Sequence, residues 1–425
     1  MGDIGRPETG LRWLYLDLNS YFASVEQQLD PSIRNRPVAV VPVMSDTTCA
    51  IAASYEAKAF GIKTGTKIYE AKQRCPELIV VPARHELYVK FHKKVCEEVD
   101  HHIPIAKVCS IDEVACALMG PERVPANAAD LARRIKRGIR ENVGDYIGCS
   151  IGIAPTRFLA KVASDMQKPD GLTVLDAHEL PGRLLMLKLS DLPGIGANME
   201  RRLCDAGIAD VAALWALDPR HARRVWGSVA GERFWYALRG VEVPERETER
   251  RSIGHSRVLA PALRNAEAAR LVARRLTQKA ASRLRRLGHR ASAIDLGVRF
   301  DGRQGWGDTF RLRQTQDSFV ILGGFDRLWA MMLAVRGAGC RPKTVSVLLH
   351  GLTEDAAAMP DLFDVLGVPR PTPKPRAALS PAIDRLNARF GQDTVILGAM
   401  PADRAGYMGA KIAFTRIPDE AEFNE

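Results

Sequence analysis

What this chain lacks narrows its setting first. Its 8 cysteines are scattered at positions 49, 75, 96, 109, 116, 149, 204 and 340 with no C-x-x-C spacing, which excludes a zinc ribbon and gives no disulfide framework. They read as reduced, mostly buried thiols. There is no uninterrupted apolar run of about twenty residues, and no basic segment followed by an apolar leader at the N-terminus. A soluble, cytoplasmic protein without membrane association is therefore expected. What is present suffices for several cores, since 46% of the 425 residues are hydrophobic. A chain of this length normally divides into roughly two to four domains.

The net charge of +11 becomes informative once it is located. Between Arg246 and His350 stand 21 Lys and Arg against 8 Asp and Glu, an excess of 13 that is larger than that of the whole chain. The remainder is near neutral. Such a segment suits a polyanion-binding surface, because contacts to phosphates release counterions and dominate non-specific affinity for nucleic acid. A solvated basic helix is the plainer alternative.

The order of patterns indicates modules. From 11 to about 175, β-rich runs at 13–18, 37–43, 78–82 and 148–153 alternate with helical patterns at 88–99 and 127–142, an α/β or α+β arrangement. From about 180 to 240 short helices (197–206, 231–238) are punctuated by Gly and Pro, as in a small helical domain. The run Pro244-Glu245-Arg246-Glu247-Thr248-Glu249-Arg250-Arg251 is charged at six of eight positions and reads as a solvated linker. Strand patterns at 253–259, 292–300, 309–313 and 344–350, with helices at 266–287 and 325–335, allow a β-α-β-β-α-β module. Beyond it, four prolines in the seven residues 369–375 favour an extended spacer, followed by a short separate tail.

Three acids sit inside apolar, β-prone runs: Asp17 in Leu14-Tyr15-Leu16-Asp17-Leu18, and the Asp112-Glu113 pair in Val108-Cys109-Ser110-Ile111-Asp112-Glu113-Val114. Burying a lone carboxylate costs several kcal/mol, roughly, so such acids must be paired, protonated or metal-bound. A divalent cation shared by all three resolves the cost. Adjacent side chains on a regular strand face opposite ways, so Asp112 and Glu113 can serve one site only at a turn or bulge, and a hairpin tip is expected there. A salt-bridged surface hairpin is the plainer alternative.

The strings LYLDLNSYFASVE, SYEAKAFGIKTG, SIDEV and FLAKVASDMQKPDG, in this order, resemble the signature segments of the Y-family translesion DNA polymerases of the bacterial DinB and UmuC kind. The resemblance covers most of the chain. It implies an α+β multidomain, right-hand polymerase: palm and small fingers to 175, a helical thumb over 176–243, a linker over 244–251, a β-α-β-β-α-β little finger over 252–355, a clamp motif with a Pro-rich linker over 356–376, and a UmuC-like tail over 377–425. It also implies two Mg²⁺ ions, with Asp17 and Asp112 bridging them, Glu113 beside the primer-side ion and the Leu18 carbonyl as a further ligand. Hard cations take oxygen ligands, and two of them suit in-line phosphoryl chemistry.

By the same resemblance Phe22 is the steric gate under the incoming sugar, with Tyr21 preceding it. Tyr55, Lys58 and Lys168 match positions that contact the triphosphate. Lys58 stands where many DinB relatives carry Arg, although Lys is normal on the UmuC side; a point charge is not a bidentate fork, which puts nucleotide affinity in question. Asn19 stands where DinB-type enzymes often carry a second Asp, and is not counted as a ligand. Ala52, Ala53 and Ser54 are the small residues expected above the templating base.

Leu192-Pro193-Gly194-Ile195-Gly196 resembles a helix-hairpin-helix turn, whose Gly194 and Gly196 let backbone N–H groups approach a DNA phosphate. The segment from Arg251 to Arg257 begins a strand like the family's little-finger entry, and Arg251 and Arg257 are expected to grip primer-template DNA without reading sequence. Met359-Pro360-Asp361-Leu362-Phe363 resembles a sliding-clamp motif without its leading Gln. The expected activity is low-fidelity nucleotidyl transfer from dNTPs past lesions. The alternatives are a catalytically silent scaffold subunit of a mutagenesis complex, whose relatives have lost the acids kept here, and a two-metal nuclease or cyclase, which predicts neither a gate nor a thumb.

Overall fold

The computed structural model describes residues 7–244, 250–300, 305–355, 378–391, 394–399, 412 and 417–418. Two compact units divide the chain near Glu245 and Arg246. Most of the charged linker, the proline run and the 359–363 motif lie outside the described residues.

In the first unit the strands are β1 (Trp13–Leu18), β2 (Val38–Val41), β3 (Ala52–Ala53), β4 (Ile79–Pro82), β5 (Ile105–Val108), β6 (Glu113–Ala117), β7 (Cys149–Ala154) and β8 (Leu172–Val174). Its first helices are α1 (Tyr21–Leu29), α2 (Tyr55–Ala59), α3 (Ile68–Arg74), α4 (His85–His102), α5 (Pro125–Gly138) and α6 (Arg157–Met166). The main sheet runs β5-β6-β1-β7-β8, antiparallel except for β7-β8. A smaller sheet, β3-β2-β4, packs its own core of Val41, Ile62, Ile68 and Ala71.

Period-two alternation sorts the main sheet. Leu14, Leu16 and Leu18 of β1 join the core made with Tyr88, Val95, Leu131 and Ile135 of α4 and α5. Tyr15 and Ala115 face the other way, into a core with Leu159, Ala160 and Ala163 of α6. Asp17 shares the parity of Tyr15, so it lies on the α6 side. Helix α6 comes close there because Gly152 of β7 has no side chain; a Cβ would stand 2.0 Å from the Ala160 carbonyl oxygen.

The helix expected at 88–99 extends over all of α4. The one expected at 127–142 is α-helical only to Gly138 and continues as a π-helical turn, Ile139–Val143. The small helical region, α7 (Ala197–Asp205), α8 (Val211–Ala216), α9 (Pro219–Trp226) and α10 (Val229–Leu238), has no core of its own. Leu189, Leu192, Leu203 and Leu214 share one with Tyr15 and Leu159.

The second unit has the order β9 (Ser252–Val258), α11 (Ala266–Arg286), β10 (His289–Phe300), β11 (Gly305–Thr315), α12 (Ser318–Arg336) and β12 (Pro342–Glu354). Its sheet is β11-β10-β12-β9, all antiparallel. Both helices cover the face carrying Ile294, Leu296, Val298, Val345 and Val347. Strand β11 outruns its expected span because it pairs along the length of β10, and α12 begins early because the Asp317 carboxylate caps the Phe319 N–H. By length and hydropathy α12 is long enough to cross a membrane, but its Ile321, Phe325, Leu328 and Trp329 are packed in this core.

The beginning of the tail is part of this unit. Helix α13 (Leu379–Phe390) is tied on through Arg285, which donates from Nε and Nη2 to Asp384 at 2.6 and 2.8 Å, and through the Ser318 N–H donating to Ser380 Oγ at 3.1 Å. Further on, Leu397 exchanges hydrogen bonds with Gln278. Ile412 and Ile417 pack on the main core of the first unit.

Candidate active site

The β5–β6 connection places the acids. Cys109 N–H donates to the Glu113 carbonyl at 2.9 Å and closes a tight hairpin whose tip is Ser110-Ile111-Asp112. Glu113 is the first residue of β6 and lies directly across from Asp17 on β1. Asp112 is in the turn, where the strand parity no longer holds, so consecutive acids can address one site. The Leu18 N–H donates to the Asp112 carbonyl at 2.8 Å and draws the tip against the end of β1. Ser110 Oγ donates to Asp112 Oδ1 at 2.5 Å and lies 3.1 Å from Glu113 Oε2.

Helix α6 and the turn that follows it supply cations to this cluster. Lys161 Nζ is 2.5 Å from Asp17 Oδ2, 2.8 Å from Glu113 Oε1 and 3.1 Å from Asp165 Oδ1. Lys168 Nζ is 2.7 Å from Asp17 Oδ1 and 2.7 Å from Asp165 Oδ1. Burial opposes both ammonium charges, but the surrounding carboxylates, Asp17 foremost, hold both lysines above their ordinary values. Burial pushes the Asp112 carboxyl up, and Asp17 and Glu113 add to this against the Ser110 hydrogen bond.

Tyr55 and Lys58, on α2, reach the same place. Lys58 Nζ donates to Ser20 Oγ at 2.7 Å and lies 4.1 Å from the Tyr55 ring centroid. Burial lowers the Lys58 pKa, as does the nearby charge of Lys168; burial raises that of Tyr55. Asn19 is structural, donating to Ser150 Oγ at 3.1 Å and accepting from the Asp170 N–H at 2.8 Å.

Phe22 is half-buried on α1. Its ring stacks on Tyr88 at 4.3 Å and 13°, with His85 edge-on at 6.0 Å. Tyr88 is held by its hydroxyl donating to Glu26 Oε1 at 2.7 Å, and Arg84 pairs with the same carboxylate. Phe22 is therefore seated on an aromatic ring that is itself held in place.

Other expected residues fall elsewhere. Tyr21 is a core residue, 3% exposed, whose hydroxyl is taken up by the Tyr88 carbonyl, to which it donates at 2.6 Å. Ala52, Ala53 and Ser54 are buried. Gly194 takes φ +93° and Gly196 caps α7, leaving the turn open to solvent. Arg251 is exposed before β9. Arg257 pairs with Val345, on the helix-covered side of the sheet; the open face instead receives Ser252, Gly254 and Ser256 of β9, with the exposed Arg299 and Arg311.

Lys161, Asp165, Ser110 and Tyr88 were not anticipated. For the first two a signal existed: Lys161 and Asp165 stand four positions apart, a spacing that puts both on one face of a helix leading to Lys168. The donors suit a hard cation, being carboxylate and carbonyl oxygens with net negative charge. Among the described residues, however, no three His, Cys, Asp or Glu side chains converge tightly enough to hold an ion as they stand. The donor chemistry fits a cation, and ammonium groups of Lys161 and Lys168 stand against the Asp17 and Glu113 oxygens.

A mixed sheet bearing clustered acids, flanked by a small strand-and-helix lobe and a helical region, with a basic β-α-β-β-α-β unit following, defines a right-hand nucleotidyl polymerase. Residues 16–165 match the impB/mucB/samB family and residues 250–362 its C-terminal domain. The chain is 33% identical over 393 residues to a DNA polymerase IV of Moorella thermoacetica, covering 90% of this chain and 94% of that one. It is 31% identical to DNA polymerase IV 2 of Mesorhizobium japonicum, covering 94% and 96%. Its fold is similar to that of a Y-family DNA polymerase chimera (TM-score 0.69, 23% identity, 81% of this chain and 99% of that) and of DinB from Sulfolobus solfataricus (TM-score 0.51, 24%, 80% and 98%). The chain belongs to the impB/mucB/samB family, as a bacterial DinB-like member of the Y-family DNA polymerases. It is a translesion DNA polymerase, of a family that depends on metal ions.

Proposed function

We propose that this polymerase extends primer-template DNA with dNTPs at a site built by Asp17, Asp112 and Glu113. The observation that carries this is the hairpin tip that sets Asp112 and Glu113 beside Asp17. Asp17, Asp112, Glu113 and the Leu18 carbonyl would hold two Mg²⁺ ions. When bound, these ions supply activation of the primer 3′ hydroxyl and charge neutralisation at the triphosphate. Tyr55, Lys58 and Lys168 bind the triphosphate: two ammonium groups and a phenolic donor already adjoin Asp17. Phe22, braced by Tyr88, excludes a 2′ hydroxyl. Gly194, Gly196, Arg251 and the second unit grip DNA phosphates without reading bases. Met359-Pro360-Asp361-Leu362-Phe363 docks on a sliding clamp, supported by its sequence. The enzyme works in the cytoplasm, where bacterial DNA lies.

Primer extension with Mg²⁺ and dNTPs, with and without a clamp, tests the reading. The intact protein should extend, and Asp112→Ala should lose about 10³-fold or more. No extension by the intact protein under either condition would leave the silent scaffold as the better description.

A further inference from the structure

Lys161 has no place in the chemistry above, yet it makes the densest set of contacts at the site. Its Nζ touches Asp17, Glu113 and Asp165 at 2.5, 2.8 and 3.1 Å. These acids come from β1, β6 and α6, so a single ammonium ties three elements into one register. Its side chain is only 18% exposed, and Nζ lies 5.5 Å from the Tyr15 ring centroid. Three N–H donors set against three carboxylates reproduce the contacts of a hard cation, with one charge in place of two. Lys168 takes the other Asp17 oxygen. An incoming divalent ion therefore meets carboxylates that are already engaged.

We propose that Lys161 is a built-in competitor for the catalytic cation: it holds Asp17 and Glu113 in register in the metal-free protein and is displaced from them when a divalent ion binds. This rests on the metal-site reading above and deepens it. Ion binding becomes an exchange. Unpaired buried carboxylates would cost several kcal/mol, roughly, and Lys161 removes that cost without metal. Release requires only a side-chain swing, because Asp165, one turn along the same helix, already accepts the ammonium and can keep it. Lys161 is thus a positioning residue that also sets a threshold for metal occupancy.

Mn²⁺ binding to the full-length protein, followed by electron paramagnetic resonance, together with thermal unfolding in EDTA, tests this for the intact protein, Lys161→Met, Lys161→Arg and Asp17→Asn. Lys161→Met should bind Mn²⁺ about tenfold more tightly, since the competing state is removed, and should melt lower in EDTA. Lys161→Arg should recover melting in EDTA and bind more weakly than Lys161→Met. Lys161→Gln replaces the Met variant should that one not fold. Unchanged or weaker Mn²⁺ binding on removing the charge overturns the proposal, even if melting falls, because packing alone would explain the loss. If Asp17→Asn binds Mn²⁺ like the intact protein, the metal-site reading itself fails and the proposal with it.

Discussion

At Asp112, burial and two neighbouring carboxylates act in the same direction, so the folded protein binds this proton more readily than the unfolded chain does. The sign follows: the contribution to stability is present at low pH and is lost as pH rises through the folded-state pKa. Asp112→Asn should therefore raise the thermal midpoint at neutral pH and flatten its pH dependence, while abolishing primer extension; an unchanged midpoint in EDTA would argue against this cost. Phe22 carries a separate prediction. Its ring is held flat against Tyr88, so Phe22→Ala should admit ribonucleotides by opening space under the sugar. Competition between dNTP and rNTP in single-nucleotide insertion reads this directly, and unchanged sugar selectivity would remove Phe22 from the gate.

At the scale of elements, the site depends on how closely α6 approaches the sheet. Gly152 permits it: an added Cβ would also stand 2.3 Å from the Ser164 N–H nitrogen, and backbone cannot give way as a flexible side chain can. Gly152→Ala should destabilise the protein by about 3 kcal/mol and lower kcat by shifting Lys161 and Lys168 from the acids. Urea unfolding and steady-state extension check the two halves. Much of this was legible beforehand. The alternation in β1, the hairpin between β5 and β6, and the β-α-β-β-α-β order follow from local patterns. The tight approach of α6 was not, because a glycine in a strand does not say which helix fills its space.

For the whole molecule, charge is divided unevenly, and the excess of 13 between Arg246 and His350 falls in the second unit. On the open face of its sheet the small Gly254, Ser256, Gly297 and Gly307 are flanked by the exposed Arg299 and Arg311. Replacing both arginines by Ala should weaken binding uniformly across DNA sequences and reduce the slope of log K against log salt by about 2. Fluorescence anisotropy over a salt series measures it, and an unaltered slope would place the phosphate contacts elsewhere. Arg257 illustrates why the sequence misled here. Arg251 and Arg257 looked equivalent, but Arg257 lies within β9, where pairing with Val345 turns it to the covered side.

The sequence by itself determined the composition of the site. Acids in apolar runs demand a partner, strand and helix periods are local, and four motifs in order specify a polymerase. Tertiary structure alone decided which partner those acids have. Lys161 meets Asp17 across 144 positions, through sheet register and a helix seated on a glycine, and no local pattern encodes contacts of that span. The docking of α13 through Arg285 and Asp384 was decided in the same way, because an ion pair is chosen by geometry rather than by the presence of its two charges.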